Sequence, residues 1–137
     1  CYQYWSNSMT GSPTVKNPLA LIIEDNEAVA HVFQVAIEQA QFEIELIQNG
    51  RTALDRLAVV TPALILLDLH LPHVSGQEIL RYVRMDERLA KTPVILATAD
   101  VTKAETLKEE ADFVLIKPFG FVQLHELAKR LRFSLSK

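Results

Sequence analysis

Cysteine is almost missing from this sequence: Cys1 is the only one among 137 residues. No disulfide framework can form within such a chain, and a reducing cytoplasm is the expected setting. Glycine is scarce as well, with four in all. Neither G-x-x-x-x-G-K nor G-x-G-x-x-G occurs, which argues against a nucleotide-binding loop. No apolar run approaches the roughly 18–20 residues that span a bilayer, and no charged segment followed by an apolar one opens the chain as a secretory signal would. No membrane role is expected. The net charge of −3 comes without a strong basic cluster, which argues against direct nucleic-acid binding. Lys129, Arg130 and Arg132 do gather near the C-terminus, where they suit the negative end of a helix. What is present is ordinary: 49% hydrophobic and 23% charged residues, enough for one proper core and too little for a second domain of normal size.

Residues 1–17 mix Ser, Asn, Gly, Thr and Pro with aromatics and show no period. They read as a disordered leader ahead of one domain over 18–137, and Trp5 is then no core residue. Met9 is a candidate native start, with residues 1–8 upstream of it. The stretch on which the rest depends is Ala63-Leu64-Ile65-Leu66-Leu67-Asp68-Leu69-His70-Leu71-Pro72. Five apolar residues run unbroken into a carboxylate. Such a run reads as a strand buried on both faces, as a parallel sheet covered by helices requires. A charged group at its C-terminal end stands where open α/β sheets place their ligands.

Strands and helices alternate along the chain. The expected strands are Leu19–Ile23, Phe42–Ile47, Ala63–Leu67, Val94–Ala97 and Phe113–Ile116. Between them Asn26, Asn49, Ser75 and Asp100 are expected to cap helices, Ser75 with Glu78 at capping-box spacing. The first helix has Val29, Val32, Phe33, Ala36, Ile37 and Ala40 on its apolar stripe. The second has Ala53, Leu54, Leu57 and Ala58, and the third Ile79, Leu80 and Val83 with Tyr82 at the margin. The fourth is polar, with only Val101, Ala104 and Leu107. The last follows Lys117-Pro118-Phe119-Gly120 and carries Phe121, Leu124, Leu127, Ala128 and Leu131. This pattern predicts a doubly wound, flavodoxin-like parallel sheet of order 2-1-3-4-5 with five helices. In that order Glu24, Asp25 and Asp68 share one crevice. Three carboxylates there must retain a proton or bind a cation, and an all-oxygen set favours Mg²⁺. Thr98 and Lys117 end the next two strands, where a hydroxyl and an ammonium can meet a phosphoryl group. Asp68 is then the nucleophile for an acyl phosphate.

Glu24-Asp25, Asp68-Leu69-His70-Leu71-Pro72 with Gly76, Thr98-Ala99 and Lys117-Pro118-Phe119 together resemble the receiver domain of two-component response regulators, over about residues 19 to 133. The resemblance implies that Asp68 takes phosphate from a phosphohistidine on a sensor histidine kinase or phosphotransfer protein. It implies Mg²⁺ on Asp25 and Asp68, with Glu24 acting mainly through water and the His70 backbone carbonyl completing the protein ligands. Thr98 would move onto the phosphoryl group, Lys117 would hold it, and the Lys117–Pro118 bond would be cis. His70 and Asp100 fall where the family tunes phosphate lifetime. A homodimer is within its repertoire.

Two features depart from that family. The switch position three residues before the lysine holds Val114 rather than an aromatic. Phe113 beside it points to the opposite strand face and cannot replace it. The interval from Thr98 to Lys117 is also short. Signalling through another surface, such as the first helix, or through a modified form of the usual face, is expected. The competing reading is a receiver-like binding scaffold that is never phosphorylated, although the retained acidic set, Thr98 and Lys117 argue against it. An aspartyl-phosphate phosphatase would carry an Asp at His70. His31, His73 and His125 are given no metal role, and Phe33 and Phe121 read as core.

Overall fold

The structure, a computed structural model, describes residues 17–135. The strands are β1 (Leu19–Ile23), β2 (Glu43–Ile47), β3 (Leu64–Asp68), β4 (Val94–Thr98) and β5 (Phe113–Ile116). The helices are α1 (Glu27–Gln39), α2 (Gly50–Leu57), α3 (Gly76–Met85), α4 (Val101–Leu107) and α5 (Phe121–Leu135). All strand pairs are parallel, in the order β2-β1-β3-β4-β5. The expected architecture is therefore observed. Trp5, Met9 and the leader up to residue 16 fall outside the described residues.

Side chains alternate across a strand, so each central strand feeds two cores. Leu21, Ile23, Ile65, Leu67, Val94 and Leu96 pack under α2, α3 and α4 with Ala53, Leu57, Ile79, Leu80, Val83 and Leu107. Ala20, Ile22, Leu64, Leu66, Ile95 and Ala97 pack under α1 and α5 with Phe33, Ala36, Ile37, Leu124 and Ala128. Every residue of β3 and β4 is buried, as the apolar runs demand.

Four helices start where a polar cap stands before them. Asn26 accepts from Val29 N–H at 3.0 Å, Asn49 from Thr52 at 2.9 Å, Ser75 from Glu78 at 3.2 Å and Asp100 from Lys103 at 2.9 Å. Each bond satisfies an N–H that the helix itself leaves without a partner.

Strand ends differ from the sequence reading. β3 and β4 continue one residue further, because backbone pairing (Asp68 beside Ala97, Thr98 beside Ile116) ignores the change to polar side chains. Ala63 and Phe42 lie just before their strands, although Ala63 N–H still donates to Leu19 O at 2.8 Å. Val32 is 44% exposed, because α1 buries only the narrow face that meets the sheet and α5. Ala58 is the exposed C-cap of α2, and Phe121, Leu127 and Leu131 are only half-buried on α5.

Two arginines fasten the edge of the sheet remote from the carboxylates. Arg84 donates to the carbonyls of Glu110, Ala90 and Thr92 at 2.6, 3.2 and 2.9 Å and to Asp112 Oδ2 at 2.7 Å. Asp112 Oδ2 also accepts from Val94 N–H at 2.8 Å, so the starts of β4 and β5 share one network. Arg88 closes the C-terminal end of α2 through the carbonyls of Leu57 and Val60.

The β3–α3 loop is pinned by backbone. Gly50 N–H donates to Pro72 O at 3.1 Å and Gly76 N–H to Leu69 O at 3.0 Å. His73 takes a φ of 73° between Pro72 and Val74, whose N–H returns to Pro72 O at 2.9 Å, a tight three-residue turn. A Cβ on Gly50 would sit 1.9 Å from Val74 O, whereas one on Gly120 would meet nothing within 4 Å. Gly50→Ala is therefore expected to lower unfolding free energy in urea by about 2 kcal/mol or more, while Gly120→Ala stays within about 0.5 kcal/mol of the parent.

Candidate functional site

The order of the sheet reverses between β1 and β3, and the C-terminal ends of these two strands bring the acidic residues together. Glu24, Asp25 and Asp68 each offer a carboxylate oxygen, and the three oxygens lie within 4.8 Å of one another. Glu24 and Asp68 are buried and Asp25 is exposed, so the cluster opens to solvent on Asp25's side. Glu24 N–H continues the sheet to Ile47 O at 2.9 Å, which fixes its backbone. Its Oε2 accepts from Asn26 N–H at 3.2 Å.

Lys117 projects into this cluster from the end of β5. Its Nζ donates to Glu24 Oε1 at 2.8 Å and stands 3.6 Å from Asp68 Oδ1. Lys117 N–H donates to Thr98 O at 2.9 Å, which ties the lysine to β4. The Lys117–Pro118 bond is cis, as the resemblance implies. One ammonium cannot neutralise three carboxylates. Burial, the larger effect, and the charge of Asp68 push Glu24 above the ordinary carboxylate value, against the lowering by its Lys117 hydrogen bond. The donor set is all oxygen and carries surplus negative charge, which fits a hard divalent ion.

Thr98 is fully buried, and its Oγ1 accepts from Asp100 N–H at 2.9 Å. A hydroxyl that accepts still has its own hydrogen to donate. His70 is exposed. Its N–H donates to Asp68 Oδ1 at 3.3 Å, and its ring Nε2 lies 4.0 Å from Asp100 Oδ2. Asp100 thus caps α4 and faces His70 across the mouth of the cluster. A Cβ on Gly76 would sit 2.2 Å from the Asp68 backbone carbonyl oxygen, so only glycine lets α3 begin so close to the end of β3.

Val114 is half-buried and, with Val101, Ala104 and Ile116, lines a cleft of about 200 Å³ between α4 and β5. Phe113 alternates away from it and is 38% exposed.

The structure also places a pair of rings that the sequence reading assigned only in part. Phe33 of α1, read as core, is buried, and it stacks on Phe119 with centroids 5.2 Å apart and planes 9° apart. Lys117 Nζ stands over the Phe33 ring, 5.9 Å from its centroid. Helical spacing gave no sign of this, because an aromatic on a buried stripe looks the same whatever lies above it.

Among known sequences, a family model for the response regulator receiver domain matches residues 20–129. The chain is 32% identical over 125 residues to the probable methanogenesis regulatory protein FilR2 of Methanothrix harundinacea, covering 83% of this chain and 81% of that protein. It is 32% identical over 120 residues to the response regulator ArlR of Staphylococcus saprophyticus, covering 85% of this chain but 52% of ArlR. The fold is similar to the receiver domain of the sensor histidine kinase PA1611 from Pseudomonas aeruginosa PAO1, crystallised with a magnesium ion coordinated in its active-site cleft. That match has a TM-score of 0.77 and 23% identity, covering 85% of this chain and 98% of that one.

The position of Glu24 predicts a pH signature. With its folded-state value raised, the native protein binds this proton more tightly than the unfolded chain, so the native state loses stability as pH rises from about the ordinary 4.5 through the raised value. Glu24→Gln removes that loss. In thermal melts the variant is expected to match the parent near pH 4 and to exceed it at neutral pH. A gap that is constant with pH would contradict the assignment.

Proposed function

The chain belongs to the response regulator receiver domain family, and from that premise we propose that Asp68 is its phosphoacceptor, loaded from a phosphohistidine on a sensor histidine kinase or phosphotransfer protein. The observation that carries this reading is the convergence of Glu24, Asp25 and Asp68 on one opening with Lys117 3.6 Å from Asp68. Glu24, Asp25, Asp68 and the His70 carbonyl are the groups that would hold Mg²⁺, which when bound neutralises charge on the phosphoryl oxygens.

The hydrogen bond and ion pair to Asp68 among the described residues engage Oδ1. Oδ2 is therefore the attacking oxygen. Its bond to phosphorus forms as the bond from phosphorus to the donor imidazole nitrogen breaks. The electron pair of the broken bond stays on that nitrogen, which takes up a proton. Lys117 already stands beside Asp68 and offsets the negative charge that arrives with the phosphoryl oxygens. Thr98 supplies a donor from a buried position, and the release of its Asp100 contact frees it to follow the phosphoryl group. Loss of phosphate is the attack of water on phosphorus with return of the electron pair to the Asp68 carboxylate. His70 and Asp100 flank the approach for that water and set its rate.

The domain is in this reading a switch whose output lies in its surface contacts. With Val114 beside an open cleft in place of an aromatic, that output runs through α1 or through an altered α4–β5 face. Incubation with acetyl phosphate and Mg²⁺ is expected to add one phosphate by intact mass, with the adduct absent in Asp68→Ala and reduced at least tenfold in rate in Lys117→Ala. No adduct on the parent protein would favour a scaffold that works by contact alone.

A further inference from the structure

Lysine 117 is the most mobile of the groups at this site by chemistry, a charge on a flexible four-carbon stem. Its present anchor is Glu24, at 2.8 Å. That anchor is a poor one for a phosphoryl switch, because Glu24 also belongs to the acidic set and has reason to turn towards any cation there. If Glu24 were the whole anchor, Lys117 would be released as the site fills. A second anchor that carries no proton and competes for no cation would keep the ammonium in place.

The Phe33 ring has these properties. It lies 5.9 Å from Lys117 Nζ at its centroid, within the distance at which an aromatic face attracts a cation. It is 5% exposed and the Lys117 side chain 23%, so the pair is partly withdrawn from water, where the attraction is stronger than at a fully exposed surface. Its orientation is fixed twice over. The backbone of α1 holds it on the stripe with Ala36 and Ile37, and the Phe119 ring lies parallel against it at 5.2 Å. Phe119 is two residues beyond Lys117, so the segment that presents the ammonium also presents the ring that braces its partner.

We infer that Phe33 is a positioning residue for Lys117, holding the ammonium beside Asp68 by cation–π attraction when Glu24 lets go. The inference rests on the phosphoacceptor reading of Asp68 and extends its machinery to α1. Leucine or isoleucine would fill the same place in the core, but neither has the ring quadrupole that attracts a cation.

The test separates shape from charge. Phenylalanines bearing one, two or three ring fluorines at position 33 keep the volume and progressively drain the ring face. Acetyl phosphate labelling is expected to slow stepwise with each fluorine, by about three- to tenfold over the series, while urea midpoints stay together. Phe33→Trp is expected to retain the parent rate better than Phe33→Leu. Equal rates along the fluorine series, or a leucine variant as fast as the parent, would overturn the inference. A second readout needs no phosphorylation. In proton–carbon spectra of the parent, the Lys117 ε-methylene is expected to be displaced by the ring current, and the displacement to vanish in Phe33→Leu. An undisplaced ε-methylene in the parent would overturn the Phe33 role even where Asp68 takes phosphate. A displaced signal in a protein that takes none would instead count against the phosphoacceptor reading alone.

Discussion

Like charges held together against their repulsion are the constraint on which this structure depends. Parallel strands β1 and β3 lie side by side, and both end in carboxylates. The sheet leaves Glu24 and Asp68 no way to separate, because each is part of, or directly continues, a buried strand. Lys117 offsets part of that repulsion across β4, and the rest remains as an affinity for positive charge. The surrounding features serve this arrangement. Gly76 lets α3 start against the Asp68 backbone. The caps at Asn26 and Asp100 begin α1 and α4 at the rim, so that two of the five strand ends pass directly from sheet to site to helix.

The scaffold and the site are stabilised by different means. The two apolar layers on either face of the sheet are continuous and buried, and the arginines that fasten the far edge bind backbone carbonyls rather than site residues. The site can therefore carry surplus charge and a burdened Glu24 while the scaffold is held by contacts of its own. The relatives are consistent with such modularity: the chain spans 52% of ArlR, so in that protein the matched region is joined to further sequence.

Much of this could be read from the chain because the relevant signals are local. The apolar run before Asp68 declares a strand buried on both faces, and Asn26, Asn49, Ser75 and Asp100 declare their helices through one side-chain oxygen each. Four strand-end motifs in order were enough to bring Asp68 and Lys117 together, with Thr98 ending the strand that lies between theirs. What could not be read depends on partners distant in sequence. Glu24 and Asp25 are adjacent carboxylates, and only the packed sheet makes one buried and the other exposed. Arg84 on a helix resembles any solvated arginine until the carbonyls of Ala90, Thr92 and Glu110 turn towards it. Val32 has the spacing of a core residue, yet α1 presents too narrow a face to bury it. Phe33 was recognised as core, but the ammonium above it comes from a residue far along the chain.

The central claim is that Asp68, and no other carboxylate of the cluster, carries the phosphoryl group. Borohydride reduces an acyl phosphate to the alcohol, so a phosphorylated aspartate becomes homoserine and stays marked in the peptide chain. After labelling with acetyl phosphate and Mg²⁺, reduction and peptide mass mapping are predicted to find homoserine at position 68 and unaltered Glu24 and Asp25. A reduced side chain at position 24 or 25, or none anywhere in a protein that had gained phosphate, would contradict it.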